Sequence, residues 1–330
     1  MSKIIFLKAI LFTAVSFAPR FTSGQAAPTP RNNAGIAFDA TKKVIVVYGG
    51  SAHTRSAIQM RDSAVWEWNG SSWKKRTTAP SLRADGGFVC DPKNGALFIA
   101  GGSFSYSASK SANYDDTWKF DGNKWTYITS TNFFKDLFHG AYTYNPEAKS
   151  VMLFSGFNVA QNAVVEETWL LTSNVWMQTQ TGNVPPARFL HSIFYDPKND
   201  ATILVGGADL NNNAYREMWM LKGNQWTVVD KDIPVHVMNS HGATAIGKSG
   251  KYILIKSSYE EKVFETWIWD GTLKSWMQVK GKQPFPSDYP SIAYDEKRKC
   301  AVLFGGQRGI DSTNEVWELA DGATDWVKRF

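Results

Sequence analysis

The chain has little of what marks the commonest catalytic and metal-binding classes. It has 2 Cys and 5 His in 330 residues, too few for a disulfide-stapled scaffold or a Cys-rich zinc module. There is no Gly-rich phosphate loop, no Ser nucleophile elbow and no paired-Cys metal motif. Asp209, Asn211 and Asn213 imitate the start of a calcium loop, but Ala214 stands where the turn needs Gly and Met220 where the bidentate Glu should be. No apolar run reaches the roughly 20 residues of a membrane-spanning helix. The longest, over residues 9–18, belongs to an N-terminal stretch that reads as an export leader: Lys3, Lys8, the apolar run, then small residues at 23–27. Cleavage near Ala26 removes Lys3, Lys8 and Arg20 and no acid, taking the formal charge from +6 to +3. The basicity therefore does not argue for nucleic acid. The expectation is a leader over 1–26, a single domain over 27–330 and a secreted or periplasmic protein with no membrane span after cleavage.

What is abundant is aromatic: 14% of the chain, including 14 Trp, enough for a large packed core. One pattern recurs over approximately 31–80, 81–132, 133–183, 184–233, 234–283 and 284–330. Its first half is two β-rich runs joined by a polar turn, as in GIAFDATKKVIVVYGG (35–50) and SIAYDEKRKCAVLFGG (291–306). Asp91-Pro92, Asn145-Pro146 and Asp196-Pro197 open three of those turns. The second half carries paired tryptophans: Trp66/Trp73, Trp118/Trp125, Trp169/Trp176, Trp219/Trp226, Trp267/Trp276 and Trp317/Trp326. Asn69-Gly70 and Asp121-Gly122 read as two-residue hairpin turns, with Thr172-Ser173 and Lys222-Gly223 as their counterparts. That count puts Trp66 opposite Trp73 on one face. Units of four short strands, each too aromatic on one face to leave in water, stack face to face, and a ring closes the stack.

The Gly-Gly doublet after the second strand, the aromatic on the third, the Trp on the fourth and the period near 50 resemble kelch repeats across the expected mature chain. A WD-type period is about 40 to 45. The resemblance implies an all-β, six-bladed β-propeller of four-stranded antiparallel blades. It implies a binding module for a carbohydrate or protein partner, with no cofactor. Some exported propellers of this kind act on sugars, oxidising galactose with copper or mutarotating sialic acid. Cys90 and Cys300 match no copper-enzyme motif, and their units are separated by the first in a ring of six, so a disulfide is not expected. The chain begins with a first strand and ends with a fourth, so closure rests on packing between units one and six. Unit five, with Lys256-Ser257 in place of Gly-Gly, has the least regular loop.

Strand alternation gathers the loops at 51–63, 103–115, 157–166, 208–215 and 307–313 on one rim, opposite the tight turns, and loops on a rigid scaffold commonly carry function. Tyr106 and Tyr215 are candidate contacts there. Counting back from the doublet aligns His139, His191 and His241 in adjacent units. Three imidazoles could meet a metal, but the resemblance favours packing, and no metal is expected. Three residues earlier stand Arg31, Arg83 and Arg188, which would favour an anionic ligand; with Glu217 they would form a carboxylate clamp and base in a sialic-acid enzyme. Two residues before the first Trp, five units carry an acid: Asp116, Glu167, Glu217, Glu265 and Glu315. Arg and acid coincide only in units two and four, so pairing within units does not account for both columns.

Overall fold

The structure, a computed structural model, describes residues 26–54, 57–60, 62–107, 110–131, 137–146, 148–239 and 241–330. All but the last residue of the expected leader lie outside this set. The chain forms six sheets, each built around four antiparallel strands in sequence order. Blade 1 consists of Gly35–Asp39, Val44–Tyr48, Ala64–Trp68 and Trp73–Thr78, and blade 2 of Gly87–Cys90, Leu97–Ala100, Asp116–Phe120 and Trp125–Ser130. Blade 3 consists of Ala141–Asn145, Ser150–Asn158, Ala163–Thr172 and Val175–Thr179, with Leu137–Phe138 added beside its second strand. Blade 4 is Ser192–Asp196, Ala201–Val205, Met218–Lys222 and Gln225–Asp230; blade 5 is Ala243–Ala245, Lys251–Ser258, Val263–Asp270 and Ser275–Val279. Blade 6 closes the chain with Ser291–Asp295, Cys300–Phe304, Val316–Ala320 and Val327–Lys328.

The second strands are continuous apolar runs, VIVVY, LFIA, ATILV and CAVLF among them, because they lie inside a blade whose two faces are both covered. The cores accordingly sit between blades. One packs Val47, Trp66, Trp68 and Trp73 of blade 1 against Val302, Phe304 and Val316 of blade 6. Cys90 and Cys300 are free, buried members of two different cores, and burial pushes both thiols up.

The tryptophan register differs from the expected one. In blade 1 the loop holds residues 69–72, and Trp68, not Trp66, pairs with Trp73, with ring centroids 5.1 Å apart. The cause is an Asx cap: Asn69 Oδ1 accepts the backbone N–H of Ser71 and of Ser72, both at 2.9 Å, which holds a four-residue turn. Asp121 does the same in blade 2, and Phe120 pairs with Trp125. In blades 3 and 4 the turns are Ser173-Asn174 and Gly223-Asn224, one residue later than expected. The second Trp therefore faces the residue two places after the first: Trp68, Phe120, Leu171, Leu221 and Trp269. A shift of two keeps both tryptophans on one face.

The innermost strands neighbour one another in sequence around the ring, and that of blade 6 lies beside that of blade 1. No blade is shared between the chain ends, as expected. Polar contacts join the apolar core in this closure. Ser291 Oγ donates to the Ala34 carbonyl at 2.6 Å, the Gly306 N–H to the Arg31 carbonyl at 2.9 Å, and Trp68 Nε1 to Glu318 Oε1 at 2.9 Å. Glu318, 5% exposed, also takes Arg298 and, at 3.0 Å, Arg329. Glu318→Ala leaves the buried Trp68 indole N–H without an acceptor and Arg298 with Asp295 alone, and we expect it to lower unfolding free energy by roughly 2 kcal/mol. Denaturant unfolding followed by Trp fluorescence measures this, and a loss below about 1 kcal/mol would show that closure does not lean on this carboxylate.

Candidate functional site

The rim that gathers the long loops is fixed by a contact repeated between blades. At the end of the second strand, the N–H of Gly50, Gly207 and Gly306 donates to a carbonyl leading into the next blade: Arg83 at 3.0 Å, Val237 at 2.7 Å and Arg31 at 2.9 Å. The glycine before each of these, Gly49, Gly206 or Gly305, has φ between 66° and 72°, and a Cβ there would lie 2.4 Å from that same carbonyl oxygen. Left-handed backbone and close approach together require glycine. Blades 3 and 5 lack the doublet and make the contact with a hydroxyl: Ser155 Oγ donates to the Arg188 carbonyl at 2.6 Å and Ser257 Oγ to the Ser287 carbonyl at 2.5 Å. Unit five is therefore regular where its sequence is not. Its second and third strands run on as one hairpin to the rim.

Arg31, Arg83 and Arg188 belong to this frame. Each is at most 1% exposed. Each donates through Nη1 to the first glycine of its own doublet: Gly49 at 3.0 Å, Gly101 at 2.7 Å and Gly206 at 2.9 Å. Each also pairs with an acid of its own blade, Asp62 at 3.4 Å, Asp116 at 2.8 Å or Glu217 at 2.5 Å. Pairing within units does therefore account for the arginine column. Asp62, two places upstream of the acid column, is the partner missed in the sequence. Tyr114 covers Arg83 and Tyr215 covers Arg188, with the guanidinium 4.1 and 4.2 Å from the ring centroid. The spacing Tyr-x-acid-x-Trp, present as Tyr114-Asp115-Asp116-Thr117-Trp118 and Tyr215-Arg216-Glu217-Met218-Trp219, carried that signal.

The acids have a second task. Asp116, Glu167, Glu265 and Glu315 accept the indole N–H of the Trp two places on, at 2.7 to 3.0 Å. At Glu315, burial acts to raise the pKa, but hydrogen bonds from Arg308, Lys328 and Trp317 outweigh it and hold the carboxyl down at about 2.

The three histidines do not converge. By strand register, His191 and His241 align with Ala34, Gly86, Gly140 and Pro290, whereas His139 is one residue out. His139 belongs instead to a ring of residues with left-handed backbone that precede the first strands: Asn33, Asp85, His139, Leu190 and Tyr289, with φ between 47° and 56°. There its Nδ1 lies 3.5 Å from Asp85 Oδ1. His191 is fully buried, edge-on to Phe154 at 5.6 Å, and burial, with Arg188 adding, holds its pKa down at about 3. His241 lines the central cavity, and burial lowers its pKa to about 4. No group of three or more His, Cys, Asp or Glu that could hold a metal occurs among the described residues. Tyr106 lies in the rim strand Ser103–Ser107, and its side chain is outside the described part. Asp209 accepts the backbone N–H of Asn211 and Asn213 at 2.9 and 2.8 Å, so it caps its own loop.

A cavity opens on each rim. On the long-loop rim, a groove of about 520 Å³ between blades 4, 5 and 6 is lined by Asn212, Asn213, His236, Lys256, Glu261, Asp288 and Tyr289, among others. Around it the loop tips of successive blades carry exposed apolar side chains: Val159, Leu210, Tyr259 and Ile310, 39–50% exposed. A second cavity, of about 530 Å³, occupies the centre of the ring and opens on the opposite, turn rim.

No family model matches the chain, and no curated protein matches it.

Two histidines with lowered pKa, fully buried His191 and half-buried His241, set an acid limit. Both are neutral in the fold, and in the unfolded chain each binds a proton near its ordinary value of about 6.5. Below that pH the unfolded state holds more protons, so stability falls as pH drops from about 6.5 toward the folded values of about 3 and 4. We expect His191→Leu to flatten that fall, measured as denaturant midpoint against pH. An unchanged slope would mean His191 is not held neutral.

Proposed function

We propose that this chain is an exported kelch-type propeller that recognises a protein partner through its long-loop rim. The observation that carries this reading is the row of apolar tips in blades 3 to 6. In blades 3 and 5 the tips are matching turns in which the N–H of Asn162 donates to the Val159 carbonyl and that of Lys262 to the Tyr259 carbonyl, both at 3.2 Å. Each turn thus fixes the residue that carries the exposed side chain. Gly309 leaves room beside Tyr259, whose Cε1 would lie 3.2 Å from a Cβ there, so the tips of blades 5 and 6 form one surface. Apolar anchors around a polar centre, on loops held by a rigid frame, are the composition of a protein interface. The expected leader supports export, and a propeller is commonly an interaction module.

The groove itself supports a second occupant, a carbohydrate. Its amides, carboxylates and Lys256, which pairs with Glu261 at 2.7 Å, suit hydroxyl recognition. The sialic-acid reading gains nothing from Arg31, Arg83 and Arg188, whose guanidinium groups are buried in the frame.

Cross-linking in the producing cells followed by mass spectrometry identifies the partner, and binding to the purified chain gives its affinity. We expect Leu210→Asp with Ile310→Asp to weaken that affinity at least about tenfold, while Lys248→Glu on the opposite rim leaves it unchanged. Equal affinity for the tip variant would overturn the protein reading. Binding of a neutral glycan, lost on Glu261→Ala, would replace it with the carbohydrate one. N-terminal sequencing of the exported chain is expected to start near Ala27.

A further inference from the structure

The central cavity lies at the other end of the molecule. All six innermost strands contribute to its wall, whose aromatic side chains include half-buried Phe38, Tyr142 and Tyr195 and buried Phe88, Phe194 and Tyr294. Its lining runs from the first–second strand turns, where Lys93, Lys248 and Glu296 stand, inward to His241. None of the left-handed residues at the long-loop end lines it. It is therefore a pocket approached from the turn rim, of the volume a small molecule needs.

The charge around that mouth is one-sided. Each of the six turns presents an exposed lysine: Lys42, Lys93, Lys149, Lys198, Lys248 and Lys297. Among the described residues of these turns, the exposed carboxylates are Asp200 and Glu296. The other turn acids are buried and engaged. Asp39 accepts the N–H of Thr41 and Lys42 and pairs with Arg76 at 2.6 Å; Asp91 accepts the Lys93 N–H and the Tyr144 hydroxyl. Asp196 accepts the Lys198 N–H and the Tyr252 hydroxyl, and Asp295 the N–H of Lys297 and Arg298. They hold the turns from beneath, while Lys42 pairs with Glu67 at 3.1 Å and the ammonium groups of Lys93 and Lys198 donate to the Pro146 and Ser249 carbonyls, both at 3.1 Å.

Lysine also occupies positions where backbone geometry favours glycine. Lys43, Lys149 and Lys299 have φ of 58°, 49° and 54°, at the turn position that is Gly95 in blade 2 and Gly250 in blade 5. The same position in blade 4 is Asp200, with φ of 49°, so this left-handed site takes charge of either sign, lysine in three of the six turns.

We propose that this cavity is a second binding site, for a small organic anion whose apolar or aromatic body enters between the inner strands while its anionic group stays among the lysines. The aromatic walls favour the body, and the turn lysines, of which Lys93 and Lys248 line the cavity itself beside Glu296, raise the local concentration of anions. His241, neutral at physiological pH, offers the inner end of the ligand a hydrogen-bond donor or acceptor without adding charge.

Two fluorescent probes of nearly the same shape separate the parts of this proposal: 1-anilinonaphthalene-8-sulfonate and its uncharged relative N-phenyl-1-naphthylamine. With the native full chain at low salt, we expect saturable binding of one sulfonate per chain, at least about fivefold tighter than the neutral probe, the advantage shrinking with salt. Lys93→Gln with Lys248→Gln is expected to remove most of that advantage and leave the neutral probe within about twofold. Thr244→Trp, or Ala37→Trp if the first does not unfold cooperatively, fills the cavity and is expected to abolish both. Leu210→Asp on the long-loop rim should change neither. Equal affinity for the two probes, insensitivity of the sulfonate to the paired lysine change, or sulfonate binding that persists in a folded cavity-filled variant would each overturn the proposal.

Discussion

The junction at the end of each second strand is the contact on which the rest of the ring depends. A propeller blade is a twisted sheet with two faces to cover, and its neighbours must meet it at a fixed angle or the inter-blade cores lose their packing. Here a donor at the close of one second strand meets a carbonyl leading into the next blade, from Gly50 to Arg83, Ser155 to Arg188, Gly207 to Val237, Ser257 to Ser287 and Gly306 to Arg31. One such hydrogen bond contributes only about 1 kcal/mol net. Repeated around a closed ring, it sets the rotation from blade to blade, and the same junction that joins internal blades joins blade 6 to blade 1. A chain with no shared blade then closes through the same contact that joins blades 1 and 2, 3 and 4, 4 and 5, and 5 and 6.

Much of this was legible in the sequence because it is written in residues with few alternatives. Gly-Gly doublets mark a left-handed backbone beside a carbonyl, and paired tryptophans at a period near 50 mark a stack of sheets. The unit count, strand order and rim that gathers the long loops follow from those alone. What escaped was chemistry that another residue can perform. Ser257 fulfils by hydroxyl what Gly207 does by N–H, so unit five looked degenerate and is not. Asp62 does for Arg31 what Asp116 and Glu217 do for Arg83 and Arg188, from two places upstream. Asn69 and Asp121 lengthen their turns by capping them, a side-chain effect that counting dipeptides does not reveal. In unit three the count back from the second strand reaches Gly140, not His139, once strand pairing fixes the register.

The candidate site was less legible for a physical reason. Buried Arg, His and aromatic residues recur in phase with the repeat because each junction needs them, and a recurring polar residue looks the same whether it supports a blade or holds a ligand. The frame claims Arg31, Arg83, Arg188 and His191. What it leaves over recurs as well, but at the two rims: apolar side chains at the long-loop tips and lysines at the short turns.

These two leftovers are chemically opposite, and the topology explains how one chain carries both without conflict. Each second strand runs from one rim to the other, so the turn before it and the loop after it diverge independently. The turns stay short because buried Asp39, Asp91, Asp196 and Asp295 cap them, which fixes where a lysine can stand but not whether one must. The loops between second and third strands are free to vary in length once the junction is made, as the separate hairpin Gln307–Arg308 with Asp311–Ser312 in blade 6 and the continuous one in blade 5 illustrate. An apolar tip there costs little stability, since it packs against nothing the fold requires. Its recurrence in blades 3 to 6 is the feature that the proposed protein partner would use, whereas the exposed Val175, Met177, Leu273 and Met277 lie away from this rim, on the outer edges of blades 3 and 5.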